Sequence, residues 1–328
     1  MWKRLAVVMV AALLIVSALF ITKPNTDDGP IKLRLGHITG ESDPWHLGAL
    51  KFAELVKEKT GGEIEVEVYA SSMLGNDRDL IEGMQIGSVD FALPAGVLSN
   101  FYSPYAILEL PYLFRDKQHL ENVLYGVVGD ELKQSLLDNA EVRGLEFWMR
   151  TPRELTANKK IETPGDLRGL KIRVPEIPAS IAAWEAMGAT PTPMAFGEVY
   201  SSLQTGVIDA QENPVAFTAS SKIQEVQKYM MMTDHVYGYV MLAMSEVTYQ
   251  RLNESQRQAI EEAAKEATEY ENQLVFEQEE QIINELKDFG TEFVEVDKGP
   301  FEAEAKSVHE RFANLYGREL YDKIINTP

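Results

Sequence analysis

The chain contains no cysteine. That excludes a disulfide framework, a thiolate nucleophile, an iron–sulfur cluster, a sulfur-based zinc site and a lipid anchor on cysteine. Basic residues are scarce: 31 Lys and Arg stand against 51 Asp and Glu, for a formal net charge of −20. With no local basic patch to offset it, this charge repels phosphate backbones and argues against a nucleic-acid partner. Histidine is sparse as well. His37, His46, His119, His235 and His309 are scattered without metal-ligand spacing, and each is more often a surface or satisfied core histidine than a ligand. His37 and His46 flank the loop after the first expected strand, so they are kept as candidate ligand contacts. There is no Gly-x-Ser-x-Gly elbow, no His-Glu-x-x-His zinc helix and no phosphate-binding Walker loop, and no motif calls for a cofactor. Paired carboxylates do not discriminate in so acidic a chain.

What is present is enough for two domains: 328 residues, 45% of them hydrophobic, allow a core in each. The only long apolar run is at the start. Lys3 and Arg4 precede Leu5 to Ile21, and a polar stretch from Lys23 to Pro30 follows. A basic start, an apolar stretch and a polar exit make an export signal. The run is long for a signal core, and Ser17-Ala18-Leu19-Phe20 is a poor cleavage site. Residues 1–22 are therefore either a cleaved signal or an uncleaved N-terminal anchor, with 23–30 as linker.

Beyond the linker, period-two alternation predicts strands at 31–35 and 64–69, and a short buried strand at 89–93. Helical spacing predicts helices at 44–60, ended by Gly61-Gly62, and at 77–85, stopped near Gly87. This β-α-β-α-β order implies an α/β fold with a largely parallel sheet, whose ligands sit beyond the carboxyl ends of the strands. A second α/β region opens near Arg153, with a strand at 170–174, helices at 179–187 and 198–204, and a strand at 207–209. Gly87-Ser-Val-Asp90 and Gly206-Val-Ile-Asp209 both fall at helix-to-strand turns. They hint at a shared plan, although a recurring connection explains four residues equally well. Residues 254–288, with eleven acids against three bases, form a long amphipathic helix, either a spine between lobes or a peripheral helix.

The chemistry concentrates between Trp148 and Pro214. Arg150 and Arg153 share a Pro-containing bend, and Arg173 ends an otherwise apolar strand, opposite in face to Leu170, Ile172 and Val174. A guanidinium at a strand's carboxyl end matches a carboxylate bidentately. By residue type alone, a surface arginine paired with a nearby acid is the commoner outcome.

Four phrases stand in order here: Gly169-Leu-Lys-Ile-Arg-Val-Pro175, the stretch Gly188 to Tyr200, Leu203-Gln-Thr-Gly206 and Asp209-Ala-Gln-Glu-Asn-Pro214. Together they closely resemble the solute-binding proteins of tripartite ATP-independent periplasmic (TRAP) transporters, of the dicarboxylate-binding-protein type. Phe52-Ala-Glu-Leu-Val56, Leu74-Gly-Asn-Asp-Arg78, Leu110-Pro-Tyr-Leu-Phe114 and Glu225-Val-Gln-Lys-Tyr229 extend the likeness over nearly the whole exported chain. The departure is Ala210, where a glycine is usual.

The resemblance implies a two-lobed periplasmic binding-protein fold, each lobe a mixed, mostly parallel sheet flanked by helices, with hinge strands and a long helix spanning both. Lobe I is then 31–150 plus about 239–278, and lobe II is 151–238 plus about 279–328. It also implies a carboxylate clamp at Arg173, a second arginine at Arg153 and a completing amide at Asn213. Phe196 matches an aromatic wall, Glu176 a polar position after the clamp, and Asp77 a contact to the distal end of longer ligands, with Ala95 leaving room. The implied partners are a small organic acid anion and the membrane subunits of a TRAP permease. Glu176, lining the cleft, would favour hydroxyls and repel a second carboxylate. This tilts the expected ligand from a C4-dicarboxylate toward a sugar acid such as a uronate. Two other classes remain: a secreted α/β enzyme acting on a carboxylated sugar, and a ligand-sensing domain for a signalling partner.

Overall fold

The computed structural model describes residues 29–328. The export signal or anchor, and the linker up to residue 28, lie outside them. The described residues form eleven strands: β1 (Ile31–Gly36), β2 (Ile64–Tyr69), β3 (Phe91–Ala92), β4 (Val142–Met149), β5 (Arg153–Ala157), β6 (Lys171–Val174), β7 (Thr190–Pro193), β8 (Ala210–Pro214), β9 (Tyr229–Val236), β10 (Tyr239–Ser245) and β11 (Glu292–Glu295). They build two sheets, ordered β2-β1-β3-β10-β4 and β11-β9-β5-β8-β6-β7. Both are mixed. β1 runs parallel to β3, while β10 is antiparallel to β3 and β4. In the second sheet β6 is parallel to β7 and β8, and β5 is antiparallel to β8 and β9.

Local chemistry sets the flanking helices. Asp43 caps Pro44–Lys59 by accepting from Trp45 N, and Lys57 and Lys59 oppose the dipole in its last turn. Asn76 and Asp79 close a capping box on Asp77–Ile86, which ends at Gly87 in a left-handed conformation. Phe52, Trp148, Ile260 and Ala264 fill one side of the first sheet, and Tyr105, Leu136 and Phe147 the other. Trp184, Ile172 and Phe301 sit in the core of the second.

The chain passes between sheets at Arg150–Pro152 and at Tyr237–Gly238. The acidic helix is a third link. It runs as Glu254–Glu277, packed on Pro44–Lys59 and β4, and resumes after Gln278 as Glu279–Phe289 against Val215–Ser220. It is therefore the spine rather than a peripheral helix.

Two expectations shift. The segment 279–328 does not stay with the second sheet. Phe301 and Ala305 pack there, but Val308, Phe312 and Ile324 join the core around Tyr105 and Leu136, where the last two helices pack against Ser103–Glu109. The strand expected at 207–209 begins instead at Ala210, since Asp209 is occupied in a turn. The two four-residue phrases are structural equivalents. Gly87 and Gly206 share φ 72°. Asp90 Oδ2 accepts from Arg34 N at 2.7 Å, and Asp209 Oδ2 from Lys171 N at 3.0 Å. In each sheet the aspartate ties the end of a helix-to-strand turn to the neighbouring parallel strand. Among the described residues no helix is long and apolar enough to cross a membrane.

Candidate functional site

The strand ends and crossover segments enclose a cavity of about 40 Å³. β6 supplies Arg173. Lys171 and Arg173 share a face, but Lys171 opens the strand in solvent whereas Arg173, nearer the carboxyl end, is covered and only 3% exposed. Its Nε and Nη2 donate to the Met194 carbonyl at 3.1 and 2.8 Å, which fixes the guanidinium plane. Phe196 lies beside it, ring centroid 5.6 Å from Cζ, and stands edge-on to Phe217 at 4.4 Å. Burial pushes the Arg173 pKa down to about 10, still leaving it a cation at neutral pH.

Arg153 opens β5 and is satisfied within the chain. Its Nη2 donates to Glu212 Oε1 at 2.8 Å and to the Glu212 carbonyl at 2.7 Å, while Nε meets Oε2. His235 Nε2 lies 2.9 Å from the same Oε2. Burial alone would raise the Glu212 carboxyl. Arg153 first, then His235, overcome it and hold the pKa at about 2. Next to Glu212 on β8, Asn213 donates to Gln211 Oε1 at 2.6 Å.

Asp77, at the start of its helix, faces Arg173 and Arg150 across the cavity. Burial raises its carboxyl to about 6 against the pull of those two cations. Of the eight residues singled out in the sequence, Arg173, Arg153, Asn213, Phe196 and Asp77 line this one cavity. Glu176 does not. The bend at Glu176 itself leaves its side chain in solvent and its carbonyl accepting from Asn100 Nδ2 at 2.7 Å. Its charge still acts on Asp77 and Arg173. His37 and His46 are also outside the lining. They contact each other, Nε2 to Nδ1 at 3.0 Å, with Thr39 Oγ1 on the far side of His37. Ala95 does line the cavity.

Arg150 and Glu109 also line the cavity, and neither was singled out as a ligand contact. Arg150 had one signal, its place in the same bend as Arg153. Glu109, which ends a short 3-10 helix at Ser103–Glu109, had none.

Comparison with known proteins fits this arrangement. The family model described as bacterial extracellular solute-binding protein, family 7 (DctP), matches residues 35–315. The chain belongs to this family. Its relatives include the 2,3-diketo-L-gulonate-binding periplasmic protein YiaO of Escherichia coli, 37% identical over 274 residues, covering 82% of this chain and 83% of that one. A solved TRAP periplasmic solute-binding protein from Roseobacter denitrificans with bound L-galactonate is 40% identical, with TM-score 0.83 over 88% of this chain and 99% of that one. Another from Sulfurospirillum deleyianum, with bound succinate, is 28% identical, with TM-score 0.88 over 92% and 100%. The family 7 chain described above is thus a TRAP solute-binding protein with the two-lobed fold of these relatives.

Proposed function

We propose that this protein captures a monocarboxylate rich in hydroxyls, a sugar acid, outside the cytoplasm and delivers it to the membrane subunits of a TRAP permease. It is a carrier and performs no chemistry on the ligand. Arg173 clamps the carboxylate, Arg153 adds its remaining nitrogen Nη1, Asn213 completes the set and Phe196 forms the wall. Charge-assisted bonds of this kind contribute about 1.5–3 kcal/mol each once the lobes exclude water.

The observation that carries the ligand class is the charge balance of the cavity. Arg153 already has Glu212 as its counter-ion, and Asp77 and Glu109 add two acids to the lining. One incoming carboxylate fits beside Arg173; a second would meet Arg150 but also face those two acids, whereas hydroxyls can donate to them. The L-galactonate in the Roseobacter denitrificans relative supports the same class, and succinate in the Sulfurospirillum deleyianum relative marks the competing one.

Thermal-shift screening over sugar acids, C4-dicarboxylates, keto acids and uncharged sugars tests this. A sugar acid should give the largest stabilisation. A response only to sugars without a carboxylate would overturn the clamp, and a response only to dicarboxylates would overturn the ligand class.

A further inference from the structure

We infer that Arg150 and Glu109 act as a donor–acceptor pair that reads one hydroxyl of the ligand and makes the site reject its deoxy analogue. This rests on the sugar-acid reading above and adds the residues that enforce it. Both side chains line the cavity that holds Arg173, and both are only 4% exposed. Arg150 Nε and Nη2 and Glu109 Oε1 have no hydrogen-bond partner among the described residues. Tyr239, fully buried and close enough to act on both charges, likewise leaves its hydroxyl unpartnered.

The backbone holds the pair in place. A Cβ on Gly96 would lie 2.4 Å from Glu109 Cδ, and one on Gly238 would lie 2.2 Å from Arg150 Nη2. Two glycines thus press on the two charged heads, where any side chain would displace them. Arg150 also donates its backbone N–H to the Gly238 carbonyl at 3.1 Å, so the crossover segments that carry it are tied together.

The chemistry follows from the two groups. A guanidinium only donates and a carboxylate only accepts, while a hydroxyl does both. One hydroxyl seated between them satisfies each. A methylene leaves both buried and unmet, and a carboxylate satisfies Arg150 but is repelled by Glu109. Sites built to hydrogen-bond a substrate hydroxyl discriminate strongly against analogues that lack it.

Isothermal titration of the full chain tests the pair without a variant. The probe is whichever of L-galactonate, D-glucuronate and D-galacturonate binds most tightly, compared with each of its monodeoxy analogues. One analogue should bind about 100-fold or more weakly than its parent. In the double variant R150M/E109M, which replaces both partners by apolar groups of similar length, that gap should fall below about tenfold. The inference is overturned if every monodeoxy analogue binds within about threefold of the parent, or if the gap survives in the double variant. The sugar-acid reading can still stand in either case. If none of the three acids binds and succinate does, that reading fails, and this one fails with it.

Discussion

Arg153 and Glu212 meet across neighbouring strands of the second sheet, with Nη2 2.8 Å from Oε1. A cleft arginine thus carries a carboxylate from its own chain before any ligand arrives. The pair fixes where the neighbouring Asn213 sits and leaves Arg173 as the guanidinium held only by a neutral carbonyl. The asymmetry makes Arg173 the principal clamp and leaves Arg153, paired through Nε and Nη2, only its Nη1 for a ligand.

Glu212→Gln should therefore act on stability. Removing one partner of a buried pair leaves the Arg153 charge uncompensated and costs about 3–5 kcal/mol, read as a lower urea midpoint. The folded carboxyl sits at about 2, below its ordinary 4.5. Its contribution is complete above pH 4.5 and is lost as pH falls toward 2. The variant should lose less stability than the parent across that window.

His37 acts in a higher window. Burial, then the neighbouring His46, lowers its pKa from 6.5 to about 3. Between those values the unfolded chain binds the proton and the folded chain does not. Its contribution to stability is complete above pH 6.5 and declines as pH falls toward 3, by at most about 1.4 kcal/mol per pH unit. Asp43 and Asp77, both raised to about 6, have the opposite slope. The readout is thus the difference between parent and His37→Gln, which should shrink as pH falls from 6.5 to 4.5.

Asp77 should tune affinity. Its carboxyl protonates near pH 6, which removes a negative charge from the cavity that receives the ligand's carboxylate. Titration of a bound sugar acid from pH 7.5 to 5.5 should show affinity rising roughly three- to tenfold. Asp77→Asn should make affinity nearly constant over that range.

Much of this was legible in short stretches of sequence. Arg173, Arg153, Asn213 and Phe196 lie in contiguous phrases whose local structure is set by alternation, turns and prolines. Gly87 and Gly206 marked matching turns because a left-handed glycine followed by a strand-tying aspartate is a local device. What was not legible depends on distant segments meeting. Glu109 and Arg150 come from elements 41 residues apart, and only packing under Gly96 and Gly238 brings their heads to one cavity. Glu176 lies outside the cavity lining for a local reason that spacing cannot show, since the strand ends at Val174 and the chain bends at Glu176 itself. The last two helices pack against the first core, which sequence does not show because amphipathic pattern tells which face is buried and not against which sheet.

The role of Arg173 as carboxylate clamp is decided by calorimetric titration of Arg173→Ala against the sugar acid that stabilises the parent most. Affinity should fall at least 100-fold, with the ligand-free melting temperature within about 4 °C of the parent. Unchanged affinity in a folded variant would contradict it.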